Sequence, residues 1–444
     1  MKKKVSILLA MVMAVSLLTA CNQAAPEGGS SAEPSSAAES TDQSSESEAS
    51  YDPKAFEGTE LTFLRHSAYE ADWMTEQCAG FEEQTGIKVT VEQIAFSDLH
   101  DKTVVDLSSG AGSYDIFATP DYWLAEYAEG GWLADLNEYI NNPLYYDPDY
   151  KIEDIPQSLL DCNMVEGKLV GFPWKFNATV MYYRSDLMDA PPSTWADYLD
   201  YCKENADKDV KGIGFSMSKT SIGDVYMSIL GAYGGQLLDD DNKTCLLDSQ
   251  EALNALNFMV ELNSYGVEGS LSRHWDETAV LLMQGNVATD IMVNTQLSNV
   301  TDPEKSNYPE DIMVSALPKE KTRGAFTNTW SFAVSAGSKS PAAAWYFIQY
   351  VTGADRIKDL VIATEGGTAP ARTSLLEDAE LVEKYPLFTA MAETSAEGAL
   401  AAPKTSSWSS VQEVMATHLQ NVLSGSESAE DALNNAKSEI DALL

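Results

Sequence analysis

Residues 70–86, EADWMTEQCAGFEEQTG, run directly into residues 87–94, IKVTVEQI. In the first stretch Trp73, Met74, Cys78 and Phe81 recur at helical spacing, and Gly86 is a natural left-handed stop. In the second, Ile87, Val89 and Val91 alternate with polar residues, which is the period of a strand. The preceding LTFLRH (61–66) is a short apolar strand, a helical stretch follows over roughly 97–109, and GAGSYDIFAT (110–119) supplies a turn and a strand. Strand, helix, strand, helix, strand predicts a doubly wound α/β half built on a parallel sheet. Ligands of such sheets sit beyond the carboxyl ends of the strands, which draws attention to Arg65, His66, Phe96, Ser97 and the residues after Ala118.

The same grammar continues downstream. GKLVGFPWKFNATVMYYRSDL (167–187) reads as two strands around a Pro-Trp turn. In APPSTWADYLDYCKE (190–204), Thr194 is the expected N-cap with Asp197 at the third helical position, and Trp195, Leu199 and Cys202 share a face. Residues 251–266, 342–353 and 428–444 read as amphipathic helices.

The amino terminus is of another kind. Lys2, Lys3 and Lys4 precede an apolar run from Val5 to Ala20 that is too short to span a bilayer comfortably, so residues 1–20 read as a secretory signal. LLTACNQ (17–23) resembles the lipobox of bacterial lipoproteins, which implies cleavage before Cys21 and lipidation of its thiol. Residues 22–50 are dominated by Ser, Ala and Glu, without an aromatic, a large aliphatic or a basic residue, a composition that cannot offset its own chain entropy. Residues 21–56 are therefore expected to form a tether, with a mean reach on the order of 30 Å. No second long apolar run follows.

Roughly 390 residues remain after the tether, more than one hydrophobic core usually carries, which favours two domains. The formal net charge of −40 argues against a nucleic-acid partner. Cys78, Cys162, Cys202 and Cys245 are scattered without a C-x-x-C pair and are expected to be mostly buried thiols.

Four stretches carry a resemblance to a known family: AGFEEQTGIKVTVE (79–92), YDIFATPDYWLAEYAEGGWLADL (114–136), GKLVGFPWKFNATVMYYRSDLMDAPPSTWADY (167–198) and NTWSFAVSAGSKSPAAAWYFIQYVTG (328–353). In order and spacing they resemble the bacterial extracellular solute-binding proteins (family 1) of carbohydrate ABC importers, the group that includes maltose-binding protein. The resemblance implies a two-lobed, class II periplasmic-binding-protein-like α/β fold with a ligand cleft between the lobes. It places lobe 1 at 57–177 plus 330–368 and lobe 2 at 178–329 plus 369–444. It implies a lipid-anchored monomer on the extracytoplasmic face of a bacterium with a single membrane. That monomer would capture a short oligosaccharide or modified monosaccharide without a cofactor and deliver it to the transmembrane subunits of a permease.

Pyranose rings have apolar faces that stack on aromatic side chains and hydroxyl edges that need donors and acceptors. With the resemblance as a guide, the expected ligand-binding residues are Trp408, Asp121, Tyr122, Trp174, Asn177, Trp330, Arg65, His66, Arg372, Asp290 and Asn294. The alternative for each is structural: helix packing for Trp408, core or hinge packing for Trp174 and Trp330, lobe bridging for Arg372. Near Asp290 the family commonly has a Trp where this chain has Met292, which argues against a long oligosaccharide platform there.

Adjacent Tyr182 and Tyr183 face opposite ways on a strand, which disfavours a paired-tyrosine iron site. No G-x-S-x-G, H-E-x-x-H or P-loop is present, and His66, His100, His274 and His418 lack zinc spacing, so a metal site and an enzyme are not expected. Two other readings stay open: a ligand sensor for a receptor kinase, and the same fold binding a non-sugar solute.

Overall fold

The computed structural model describes residues 50–68 and 70–444. The expected signal 1–20, the expected lipidation site Cys21 and most of the expected tether lie outside the described residues. The tether expectation is too long at its far end. Tyr51 packs on Tyr346 with ring centroids 4.8 Å apart and Phe56 meets the same ring edge-on at 5.0 Å, so this segment belongs to the folded body. No helix among the described residues is long and apolar enough to cross a membrane.

The opening pattern folds as its periodicity predicts. β1 (Glu60–His66) lies parallel between β2 (Lys88–Ile94) and β3 (Ile116–Pro120). The connecting helices are α1 (Ala71–Thr85) and α2 (Phe96–Ser109). α1 buries Trp73, Met74, Cys78 and Phe81, and ends at Gly86, whose φ of 74° is left-handed and whose N–H donates to the Glu82 carbonyl.

A small hairpin, β4 (Met164–Val165) and β5 (Lys168–Leu169), precedes the long strand β6 (Phe172–Arg184). Then come β7 (Lys211–Ile213), β8 (Val287–Val293), β9 (Ile312–Ser315), β10 (Phe326–Val334), β11 (Ala369–Pro370) and β12 (Leu400–Ala401). The main sheet runs β2-β1-β3-β10-β6-β8-β7, with β11 and β9 on β6 and β12 on β10. β6 is shared by two halves: Phe172–Ala178 pairs with β10, and Thr179–Tyr183 pairs with β8. β11 pairs with Lys175 and Phe176, so the chain at 369–370 still adjoins the first half of β6.

Pro173 and Trp174 make no turn, contrary to the sequence reading. They lie inside β6, where the register against β10 shifts between Trp330 and Ser331. The residue left out of the register is Trp174, while Pro173 stays opposite Ser331; bulges are where a sheet admits proline, because the ladder is already interrupted there. Thr194 does cap its helix, Trp195–Glu204, accepting from the Asp197 N–H at 3.1 Å. The four described cysteines are free thiols; Cys78, Cys202 and Cys245 are buried and Cys162 is half-buried. Tyr182 is buried, with its hydroxyl on the Asn294 carbonyl at 2.8 Å.

Candidate functional site

β3 ends at Pro120, and the chain turns at once into a short helical turn, Asp121–Trp123. This aims Asp121 and Tyr122 beyond the carboxyl end of the sheet, where open α/β sheets bind ligands. The Asp121 Oδ1 atom is buried without a hydrogen-bond partner. Burial pushes its carboxyl up to about 7, against the opposing pull of Thr329 and Lys404. Burial also pushes the Tyr122 phenol well up, with Asp224 and Asp121 adding to it.

The opposite wall comes from two helices of the chain's later half. The helix Ile222–Ala232 is locked to β6 and β10, the two strands that cross the expected lobe boundaries at 177/178 and 329/330: Thr179 and Ser228 hydroxyls lie 2.7 Å apart, and the Phe326 N–H reaches both, at 3.1 and 3.0 Å. Its third residue, Asp224, is also pushed up to about 7, by burial alone. The helix Trp408–Leu423 packs alongside. The two helices meet at Gly223, where a Cβ would touch only the movable Met415 methyl, at 2.9 Å. Trp408, the first residue of that helix, is buried with an unpartnered indole N–H, and its ring lies 6.4 Å from that of Tyr122. Lys404 holds the approach to Trp408 by donating to the Asp161 carbonyl and, at 3.4 Å, to that of Met164.

A second set of rings continues outward. His66 lies on Trp330 with centroids 4.1 Å apart, and Trp123 meets Tyr122 edge-on at 5.6 Å. Burial, then Lys175 and Arg65, drives the His66 imidazole down to about 3, against Glu70, so it is neutral. With its amide oriented to satisfy both groups, Asn177 accepts from the Trp330 indole N–H at 3.0 Å and donates to the Phe176 carbonyl at 3.3 Å.

Of the residues expected from sequence, Asp121, Tyr122 and Trp408 come together, and His66, Trp330 and Asn177 form the adjoining wall. The others take scaffold positions. Arg65 is buried against Glu70 at 2.9 Å, and Lys175 binds the same oxygen at 2.7 Å. Trp174 is core, stacked parallel to Trp73 at 6.1 Å. Arg372 bonds Asp154 at 3.1 Å and the Thr352 carbonyl at 2.8 Å, and lies over Tyr150 in a separate surface groove of about 830 Å³. Asp290 is fully buried and accepts from the N–H groups of Phe215 and Ile291, at 3.2 and 2.8 Å. Asn294 accepts from the Ala178 N–H at 2.9 Å. Asp290 thus binds backbone of the second half of the sheet, and Asn294 binds β6 at the residue where it changes partners. Met292 is buried opposite Val180 in the core.

Asp224, Thr329 and Lys404 escaped the sequence reading. For Asp224 a signal existed: it is the one charged residue of IGDVYMSILGA (222–232), a helix otherwise apolar or small. An acid in a first helical turn is so ordinary that it passes unnoticed.

The sequence from residue 67 to residue 356 matches the family of bacterial extracellular solute-binding proteins. The chain belongs to this family. Its members bind solutes and are not enzymes, as the missing catalytic motifs suggested. A "Probable amino-acid ABC transporter periplasmic-binding protein" of Sinorhizobium fredii is 25% identical over 346 residues, 75% of this chain and 77% of that one. An erythritol/L-threitol-binding protein of Mycolicibacterium smegmatis is 24% identical over 330 residues, 67% of each chain. The maltose-bound structure of MalE3 from T. maritima superposes with a TM-score of 0.78 at 22% identity, covering 87% of this chain and all of that one. The fold is therefore the two-lobed α/β binding-protein fold, with its ligand cleft between the lobes.

Proposed function

We propose that this protein is the substrate-binding component of an ABC importer and that it captures a sugar or polyol between its lobes. The observation that carries the reading is the meeting of Asp121, Tyr122, Asp224 and Trp408. Two carboxylates without a salt-bridge partner adjoin two aromatic rings, and the four residues come from both halves of the chain. A hydroxyl donating to Asp121 would satisfy the Oδ1 atom that burial leaves unpaired, and a second would bond the half-buried Asp224. The apolar ring or chain face would lie on Trp408 and Tyr122. Ligand contacts to both halves favour the closed state over the open one. The lobes divide near 177/178, next to the point where β6 changes partners between Ala178 and Thr179. Residues 1–20 act as the signal, Cys21 carries the lipid, and the acidic tether holds a monomer near its permease on the outer membrane face.

The test is thermal melting of the chain lacking residues 1–20 against mono- and oligosaccharides, polyols and amino acids. A ligand at about 100 times its dissociation constant stabilises by about 2.7 kcal/mol. A sugar or polyol shift that disappears in Trp408→Ala is the expected result. No shift with any carbohydrate would remove the reading. A shift with amino acids alone would favour a second one, an ammonium held between Asp121 and Asp224, in keeping with the Sinorhizobium relative. Ligand-dependent activation of a receptor kinase, with no uptake, would replace import by sensing.

A further inference from the structure

Phe96 opens α2 at the carboxyl end of β2, beside His66 at the end of β1. It is 42% exposed, although phenylalanine is usually buried. Its ring is nonetheless held. It stacks on Trp123 at 5.6 Å and 15°, meets His66 edge-on at 6.1 Å, and leans on Trp330 at 6.0 Å. Trp123 contacts Tyr122, and Tyr122 contacts Trp408. A row of rings therefore runs from the exposed Phe96 to the buried Trp408. The inner end adjoins the two carboxylates. The outer end is an apolar face already fixed in place.

We infer that Phe96 is a second stacking platform, so that the ligand carries at least two sugar rings, the outer one lying on Phe96. This rests on the carbohydrate reading above and narrows it to di- or longer saccharides, against single rings and acyclic polyols. Because Phe96 is immobilised by three neighbours, stacking on it costs little further side-chain entropy.

Calorimetry on the chain lacking residues 1–20 tests this with glucose, galactose, mannose and xylose, their common di- and trisaccharides, and mannitol and erythritol. The tightest ligand should contain two or more rings. Phe96→Ala should weaken that ligand roughly 3- to 10-fold and leave the matching monosaccharide unchanged, while Phe96→Tyr keeps full affinity. Trp408→Ala should weaken both. A monosaccharide or polyol as tightest ligand, or a disaccharide indifferent to Phe96→Ala, would overturn the inference and leave carbohydrate binding standing. No carbohydrate bound by the unaltered chain would overturn both.

Discussion

Glu70 on one side and Asp121 with Asp224 on the other are recessed acids that behave in opposite ways. Glu70 is buried between Arg65 and Lys175. Burial alone would raise its carboxyl, but the two cations overrule it and hold it at about 2. Asp121 and Asp224 are recessed without such partners and rise to about 7. The first arrangement is a closed ion cluster whose charges answer one another. The second leaves acceptor capacity unspent, as a binding site must before its ligand arrives. Burial of charge is common to both; pairing decides whether the carboxyl is held ionised or pushed up. Asp290, raised to about 7 with its Oδ2 unpartnered while Oδ1 binds backbone, shows that an acid of the second kind can also belong to the scaffold.

Breaking the closed cluster should have the largest effect. Glu70→Gln leaves Arg65 and Lys175 buried without their carboxylate and should destabilise by about 3–5 kcal/mol, read by denaturant unfolding. An unchanged midpoint would mean that the cluster is not what holds β1 against β6. In the cleft, Asp121→Asn should weaken the best carbohydrate 10- to 100-fold, about 1.4–2.8 kcal/mol, with little loss of stability. Unchanged affinity by calorimetry would take Asp121 out of the site.

The sign of the third effect sharpens the contrast. Asp224→Asn removes an unpaired recessed charge and should stabilise the ligand-free protein by roughly 1–2 kcal/mol above pH 7. Destabilisation would reveal a partner for Asp224. The fourth effect is the smallest and spread over pH. A carboxyl raised in the folded state contributes most below its ordinary value and loses that contribution as pH climbs towards about 7. A carboxyl lowered to about 2 contributes above its ordinary value and loses it on acidification. The ligand-free melting temperature should therefore sag between about pH 4 and 7, and Asp121→Asn/Asp224→Asn should make that limb shallower, leaving the share of Asp290, which burial also raises to about 7, and the acid limb of Glu70.

Much of the fold was legible because it is written locally. The helix and strand periods of 61–119, the stop at Gly86 and the cap at Thr194 each depend on residues a few positions apart. The Pro-Trp turn was misread because a bulge that accommodates Pro173 is a property of β6 paired with β10, not of β6 alone. Within the site, Asp121, Tyr122 and His66 were legible from their place at strand ends. Arg65, Trp174, Arg372, Asp290 and Asn294 looked equally suitable, and nothing local distinguishes a ligand group from one already engaged. Arg65 and Arg372 are answered by Glu70 and Asp154, at 2.9 and 3.1 Å, and only the folded chain brings Asp154 to Arg372.

The sequence by itself determined the α/β class, the family, and the row of aromatic and acidic residues from which a site could be made, because periodicity and motif order survive in one dimension. The tertiary structure alone decided which of them meet. Asp121 and Asp224 are about a hundred residues apart and Trp408 is farther still. Their convergence depends on two shared strands and on helices packed across them, and whether a polar group is answered or left waiting is settled only there.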